Sequence, residues 1–170
     1  QWAVIGAWSH HYLNHGSPYT PPGTKLRPSQ EELWQEALAF FDHHLGRSED
    51  ARFTERRLHY YTMGEEAWKV TDRWPPPGAE TQRWYFTEGN GLSREAPQAD
   101  RGSDTYDVDF EASTGPTNRW QTQDGVTKVA YPDRAQADER LLTYTSGPLT
   151  EDLEVTGDPV VTLHVASTAT

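Results

Sequence analysis

Three histidines near the amino end are the side chains of this chain best suited to chemistry. His10, His11 and His15 follow the apolar run 2–8, which reads WAVIGAW. A histidine can act as a general base near neutral pH because its unperturbed pKa is about 6.5. His10 is therefore the candidate catalytic residue. Two other interpretations stay open: an ordinary surface histidine, or a metal site formed by the three histidines together, although zinc sites usually add a more distant ligand.

The elements around His10 determine where it must lie. The apolar run predicts a buried strand, and His10 comes just beyond its carboxyl end. In a sheet of parallel strands, ligand-binding and catalytic groups collect where strands end, because the loops there face an open crevice. The position of His10 is therefore one at which a functional side chain is expected.

A helix is predicted next, from Ser29 to Gly46. Ser29 followed by Glu32 is a capping box, in which each side chain accepts a hydrogen bond from the other residue's backbone amide. Gly46 suits the left-handed conformation that ends many helices. Histidines 43 and 44 fall in the last turn, where a positive charge is favoured. The apolar stripe of this helix comprises Trp34, Ala37, Leu38, Phe41 and Leu45.

Beyond about residue 47 the pattern changes from helical to β. Residues 47–57 are charged and polar and predict a linker. Short β-prone runs follow, separated by turns rich in proline and glycine, as is typical of an antiparallel sandwich or jelly roll. The predicted strands are 58–63, 83–87, 105–110, 141–145 and 160–166.

Composition excludes several classes of function. The net charge of −11 argues against nucleic acid as a partner, because phosphate binding needs clustered Lys and Arg. The chain has no cysteine, which excludes disulfides, thiolate metal sites and a cysteine nucleophile. No apolar stretch approaches the roughly 18 residues that a membrane-spanning helix requires, so a membrane is not an expected partner.

The other chemically suggestive residues have ordinary interpretations. No serine lies in the G-x-S-x-G pattern of a nucleophile elbow. The adjacent carboxylates Glu65 and Glu66 are interpreted as solvated turn charges. Four tryptophans could form a carbohydrate-binding platform, but packing is the commoner role of such residues. These four are Trp68, Trp74, Trp84 and Trp120.

Four segments, in order along the chain, carry a family resemblance. They are VIGAWSH at 4–10, FFDHHL at 40–45, YTMG at 61–64 followed by Trp68 and WPPPG at 74–78, and LLTYTS at 141–146 followed by PLTEDLEVTG at 148–157. Together they resemble the CocE/NonD-type acyl esterases, a group that includes cocaine-esterase-like enzymes, α-amino-acid ester hydrolases and X-Pro dipeptidyl-peptidases. Ala7 replaces the family's usual proline, and His11 replaces its usual small residue.

The resemblance implies a fold and a domain organisation. Residues 1–46 would be the carboxyl-terminal edge of an α/β-hydrolase domain, and 47–57 a linker. Residues 58–170 would be the first part of a mainly antiparallel, incomplete jelly-roll domain. Because Gln1 lies within the apparent strand, the chain is expected to be a piece of a longer protein.

The resemblance also implies a chemistry. His10 would be the base of a Ser-Asp-His triad whose Ser and Asp lie upstream, and the reaction would transfer an acyl group to water without a cofactor. The partners implied are an ester, amide or peptide substrate and the remainder of the hydrolase domain. Trp120 is the candidate substrate-contacting residue, because it is an aromatic side chain in the polar segment 118–121. Alone, the chain should be inactive. The alternative is a non-catalytic β-sandwich that binds carbohydrate or protein.

Overall fold

Two small sheets and one long helix make up the regular structure. A computed structural model describes residues 2–9, 12, 15–21, 23–99, 101–113 and 133–168. Within these ranges, strands outnumber helices, as in a small domain that is mostly sheet and compatible with a β-sandwich. The elements are β1 (Trp2–Ile5), α1 (Gln30–His44), a 3-10 turn (Ala51–Phe53), β2 (Arg57–Thr62), β3 (Ala67–Thr71), β4 (Tyr85–Thr87), β5 (Gly91–Ser93) and the single-turn α2 (Ala135–Asp138).

The larger sheet has the strand order β1-β2-β3. β1 runs parallel to β2, with Trp2 opposite Arg57, and β2 runs antiparallel to β3, with Thr62 opposite Ala67. Parallel neighbours require a crossover connection, and α1 lies within it. β2 is thus the central strand, although the predicted linker separates it from β1 in sequence. The predicted division into domains at 47–57 stays a prediction, as does the α/β-hydrolase edge.

The predicted strand at the amino end is half-buried, which corrects the expectation of a buried one. β1 covers only four residues, and Ile5 is 47% exposed. In the described part of the sheet, β1 has β2 on one side and no strand on the other. A strand with a single neighbour receives side-chain cover from fewer directions than a central one, so its side chains stay partly accessible to water.

Helix α1 confirms the predicted caps. The Ser29 hydroxyl accepts from the Glu32 amide at 3.2 Å, and the Glu32 carboxylate accepts from the Ser29 amide. Gly46 has the left-handed φ of +71° that the cap requires. The predicted apolar stripe, however, faces outward: its large members are all more than half exposed. They are Trp34, Leu38, Phe41 and Leu45.

Few apolar side chains of the described chain are buried, and they lie on both faces of the three-stranded sheet. Phe53 lies on the face of β2 that carries His59, towards α1, whereas Leu58 and Tyr60 alternate with His59 along β2 and point to the opposite face. The Phe53 ring lies 5.0 Å from that of Trp2 on β1 and 5.6 Å from that of Phe40 on α1. Phe53 belongs to the predicted linker. This stretch therefore contributes a side chain to the core in addition to joining two elements.

The smaller sheet is the antiparallel hairpin β4-β5. Thr145 extends it by a single bridge to Gly91, and the Tyr144 ring stacks 4.2 Å from that of Phe86. The strand prediction for 58–63 is confirmed by β2, and that for 83–87 is realised over three residues in β4. No described helix has the length and apolar character needed to cross a membrane.

Three predicted strands are wrong. Residues 105–110 and 160–166 have no strand, and 141–145 has only the single bridge at Thr145. These runs have β-prone composition, but a strand also needs a neighbour that accepts and donates its backbone hydrogen bonds. Without such a neighbour their apolar side chains stay exposed, as at Val160 (85%) and Val165 (84%).

Candidate functional site

The chain turns back on itself directly after β1. Trp8 and His15 form an antiparallel bridge, and the Gly16 amide donates to the Ala7 carbonyl at 2.8 Å. These contacts close a loop, residues 9–14, which we call the histidine loop. It contains His10 by sequence.

The predicted site residues in the histidine loop are only partly covered by the structure. His10 and His11 lie outside the residues that the structure describes. The catalytic role of His10 and the alternative metal site with His15 therefore stay predictions. Among the residues that the structure does describe, no group of three or more His, Asp or Glu side chains is arranged to hold a metal ion.

An aromatic cluster holds the amino end of the histidine loop. The Trp8 ring lies 5.2 Å from that of Tyr12 and 6.0 Å from that of Trp68 on β3. Trp68 in turn donates through Nε1 to the Arg27 carbonyl at 3.0 Å. Gly6 allows this packing, because a Cβ at that position would overlap the Trp8 ring. The residue just before the loop is thus fixed against the β2-β3 hairpin.

A carboxylate holds the other end of the histidine loop. The Ser17 hydroxyl donates to Glu66 Oε1 at 2.6 Å, and the Tyr61 hydroxyl donates to Glu66 Oε2 at 2.8 Å. The Gly64 amide adds a third hydrogen bond, to Oε1 at 2.8 Å. Ser17 is 6% exposed, so its hydroxyl satisfies its hydrogen bonding within the protein. We call Ser17, Tyr61, Gly64 and Glu66 the Glu66 cluster.

The electrostatics of the Glu66 cluster favour the ionised carboxylate. Burial opposes ionisation, but the hydrogen bonds from Ser17, Gly64 and Tyr61 outweigh it and hold the pKa of Glu66 below its usual value. Burial, with the adjacent carboxylate, raises the pKa of Tyr61 to about 12. Tyr61 therefore stays a neutral donor and Glu66 a charged acceptor throughout the neutral range.

His15 joins the Glu66 cluster at its edge. Its Nδ1 accepts from the Ser17 amide at 3.1 Å, and its ring packs edge-on against Tyr61 at 5.5 Å. Because Nδ1 is the acceptor, a neutral His15 carries its proton on Nε2. His15, which closes the histidine loop, is thus oriented by Ser17 and Tyr61, two residues of the Glu66 cluster.

The backbone at Glu66 is itself unusual. Its φ of +57° is in the left-handed region, which costs a residue with a Cβ about 1–2 kcal/mol. Three hydrogen bonds to its carboxylate offset this cost. The expectation of solvated turn charges is thus right for Glu65, which is half exposed and pairs with Lys69, and wrong for Glu66. Two adjacent glutamates look alike in sequence; only the turn geometry separates them.

The tryptophans do not form a common platform within the described part of the chain. Trp74 packs on Tyr60 at 5.6 Å, and Trp84 lies beneath the Arg94 guanidinium at 5.1 Å, while Trp68 packs as described above. Each has a different partner, which favours the packing interpretation for these three. Trp120, the candidate substrate-contacting residue, lies outside the described residues and its role stays a prediction.

The segment 148–157, part of the family resemblance, docks on β3. Lys69 pairs with Glu154 at 2.7 Å, and the hydrogen bonds that it donates to Glu154 and Glu65 raise the pKa of that lysine. The Trp74 Nε1 donates to Asp158 at 3.1 Å. The strand that carries Trp68 is thus held by later parts of the chain as well.

A shallow groove of about 610 Å³ lies beside the amino end of α1. Both of its cationic side chains pair with carboxylates of the same groove, Arg27 with Glu32 at 2.8 Å and Arg52 with Glu36 at 3.2 Å. None of the predicted site residues lines it, so the groove adds nothing to the candidate site.

Comparison with known proteins identifies the family. Residues 52–170 match the model of the X-Pro dipeptidyl-peptidase C-terminal non-catalytic domain. This chain belongs to that family. The match begins in the 3-10 turn before β2, so β1, the histidine loop and α1 lie outside the matched range. The resemblance to the carboxyl-terminal portion of CocE/NonD-type esterases and X-Pro dipeptidyl-peptidases is thereby confirmed.

Individual relatives extend the similarity to almost the whole chain. Proteins of Mycobacterium bovis and Mycobacterium tuberculosis, both carrying the provisional name serine esterase, are 42% identical over 167 residues, which is 98% of this chain. A cocaine esterase of a Rhodococcus species is 26% identical over 181 residues, again 98% of this chain. The chain spans 26% of the length of each mycobacterial relative and 30% of the cocaine esterase. No solved structure matches it significantly.

Proposed function

We propose that this chain is the carboxyl-terminal portion of a serine hydrolase that cleaves acyl esters or amides, X-Pro peptides among them. The observation that carries the proposal is the 42% identity to proteins named as serine esterases, which runs along 98% of the chain and so includes the segment of His10. The family match by itself covers only the non-catalytic domain. The proposed division is a hydrolase edge at 1–46, a linker at 47–57 and a jelly-roll portion from residue 58.

In the proposed mechanism, His10 is the general base of a Ser-Asp-His triad. It accepts the proton of the serine hydroxyl as that oxygen attacks the substrate carbonyl, and it then protonates the leaving alcohol or amine. Water, activated by the same histidine, releases the acyl group from the serine. The serine and the aspartate would be supplied by parts of the protein outside this chain. The closure of the histidine loop at the carboxyl end of β1 supports this placement.

The test is a substitution in the full-length protein that contains this chain. Replacing the base of a triad should lower kcat/KM for a p-nitrophenyl ester by about 10³-fold or more, so His10→Ala should be nearly inactive. His164→Ala is the matched control, because His164 is exposed and lies outside the described helices and strands. Activity that survives in His10→Ala would refute the proposal.

The isolated 170-residue chain should not turn over the same ester. A histidine without a nucleophile gives only weak general-base assistance. The measurement compares the purified chain with its His10→Ala variant. A turnover that depends on His10 in the isolated chain would show that the nucleophile does not lie outside it.

We also propose that Trp120 contacts the acyl part of the substrate. Trp120→Ala in the full-length protein should then raise KM for bulky acyl esters, because the substrate loses an apolar surface. Trp120→Phe should retain most of the affinity. Unchanged kinetics of Trp120→Ala across a panel of acyl groups would contradict this role.

A further inference from the structure

The Glu66 cluster joins two parts of the chain that are distant in sequence. Ser17, two residues beyond the bridge residue His15, is bound to Glu66 in the turn between β2 and β3, 49 residues further along the chain. Tyr61 and Gly64 bind the same carboxylate from the hairpin side. The carboxylate is thus shared between the loop and the hairpin, with at least one hydrogen bond on each side.

We propose that Glu66 is a positioning residue for His10. By accepting from Ser17 on one side and from Tyr61 and Gly64 on the other, it fixes the carboxyl end of the histidine loop against the β2-β3 hairpin. This assignment rests on the proposed function, because Glu66 acts only through the base that the loop carries.

The two ends of the histidine loop are held by the same hairpin. Trp8, just before the loop, packs on Trp68 of β3, and Ser17, two residues beyond the bridge residue His15, binds Glu66 in the adjoining turn. Only six residues, 9–14, separate the bridge partners Trp8 and His15. Because closing a loop costs entropy, loss of the Ser17–Glu66 contact should weaken the arrangement in which Trp8 and His15 are paired.

A carboxylate suits this role better than an amide would. Glu66 receives three donors on two oxygens, and each oxygen acts only as an acceptor. In Glu66→Gln, one of these oxygens becomes an NH₂ group that itself donates, and it then faces either the Tyr61 hydroxyl or the Ser17 hydroxyl together with the Gly64 amide. At least one side of the junction is therefore weakened, with almost no change in side-chain volume.

The experiment uses the full-length protein and counts active sites. A fluorophosphonate reacts once with each competent nucleophilic serine and releases fluoride, so it gives the active fraction independently of the rate of turnover. Misplacement of a catalytic group by about 1 Å can cost about 100-fold in rate. For Glu66→Gln we expect kcat per titrated site to fall by about 10- to 100-fold, with KM within about threefold and the active fraction unchanged.

Two further variants test the path through Ser17. Ser17→Ala should lower kcat per site in the same manner, and the double variant with Glu66→Gln should lose little more than the larger single loss, because both remove one junction. Glu65→Gln is the matched control: it neutralises the neighbouring carboxylate, which pairs with Lys69 and not with the loop, and should remain near the parent rate.

Each outcome of these measurements supports or refutes a stated proposal. If Glu66→Gln keeps the parent kcat while His10→Ala is inactive, the proposal is wrong. A loss of activity matched by an equal loss of titrated sites would mean that Glu66 serves folding alone, which also overturns it. If His10→Ala remains active, the proposed function fails instead. Should Glu66→Gln not fold, Tyr61→Phe and Ser17→Ala each delete one hydrogen bond, and unchanged kcat in both would refute the assignment.

Discussion

Replacing Phe53 by alanine should weaken the whole described fold. Phe53 is 5% exposed and joins two elements: its ring contacts Trp2 of β1, Phe40 of α1 and, at 5.8 Å, His43 in the last turn of the same helix. Leu58 and Tyr60 are the other buried apolar side chains among the residues described. With so few buried groups, each one should carry a large share of the stability.

The size of the effect follows from this environment. Substitution of a buried phenylalanine by alanine costs about 3–5 kcal/mol, because both the transfer energy of the ring and the cavity left behind contribute. Phe53 lies in a small cluster, and the rings of Trp2 and Phe40 can move part of the way into the space. We therefore expect a loss of about 3 kcal/mol, near the lower end of that range. For comparison, the free energy of unfolding of a typical domain is about 5–15 kcal/mol.

Urea unfolding of the 170-residue chain measures this loss. Tryptophan fluorescence is a suitable probe because Trp2 contacts the deleted ring. With an m-value of about 2 kcal/mol/M, the midpoint should fall by about 1.5 M. Phe110→Ala makes the same chemical change at a side chain that is 91% exposed, and should alter stability by less than about 0.5 kcal/mol. If Phe53→Ala unfolds at the same urea concentration as Phe110→Ala, the assignment of the core is wrong.

Two other outcomes are expected in the same assay. Burial, with the neighbouring charge of Arg57, holds the pKa of His59 below its usual value. The unfolded chain therefore binds this proton more readily than the folded chain does. The stability that neutral His59 contributes is present above the pKa of His59 in the unfolded chain, and it is lost as the pH falls through the pKa of His59 in the folded chain. The urea midpoint should drop between about pH 7.5 and about pH 5.5, and the drop should be smaller in His59→Gln. Ser29→Ala should cost about 1 kcal/mol by removing half of the capping box, Ser29→Gly only a few tenths, and equal losses would contradict this reading of the cap.

Features that depend on neighbouring residues were predictable from the sequence. Ser29, Glu32 and Gly46 mark the ends of α1 through contacts within one turn of the chain, and the structure confirms all three. The strands were less predictable, since a strand depends on a partner that lies far away in sequence. Residues 58–63 and 160–166 are both β-prone, but only the first has neighbours on both sides.

The candidate site likewise has one part that could be predicted from the sequence and one part that could not. His10 could be proposed from its place after an apolar run, and it stays a prediction. The Glu66 cluster could not be proposed, because it joins residues 17 and 66 and depends on a left-handed turn that no pattern of residue types indicates. A positive φ at a non-glycine residue becomes visible only in three dimensions, and here it distinguishes Glu66 from the otherwise similar Glu65.

The parallel pairing of β1 with β2 has a consequence for anyone who trims this protein to its recognised domain. A recombinant piece that starts at residue 52, where the family match begins, would keep β2 and β3 but lose β1. The central strand would then become an edge, with a row of unpaired backbone donors and acceptors available to other molecules. Such a piece should tend to associate through β2. Starting the recombinant protein at or before Trp2 would keep β1 and its backbone hydrogen bonds to β2.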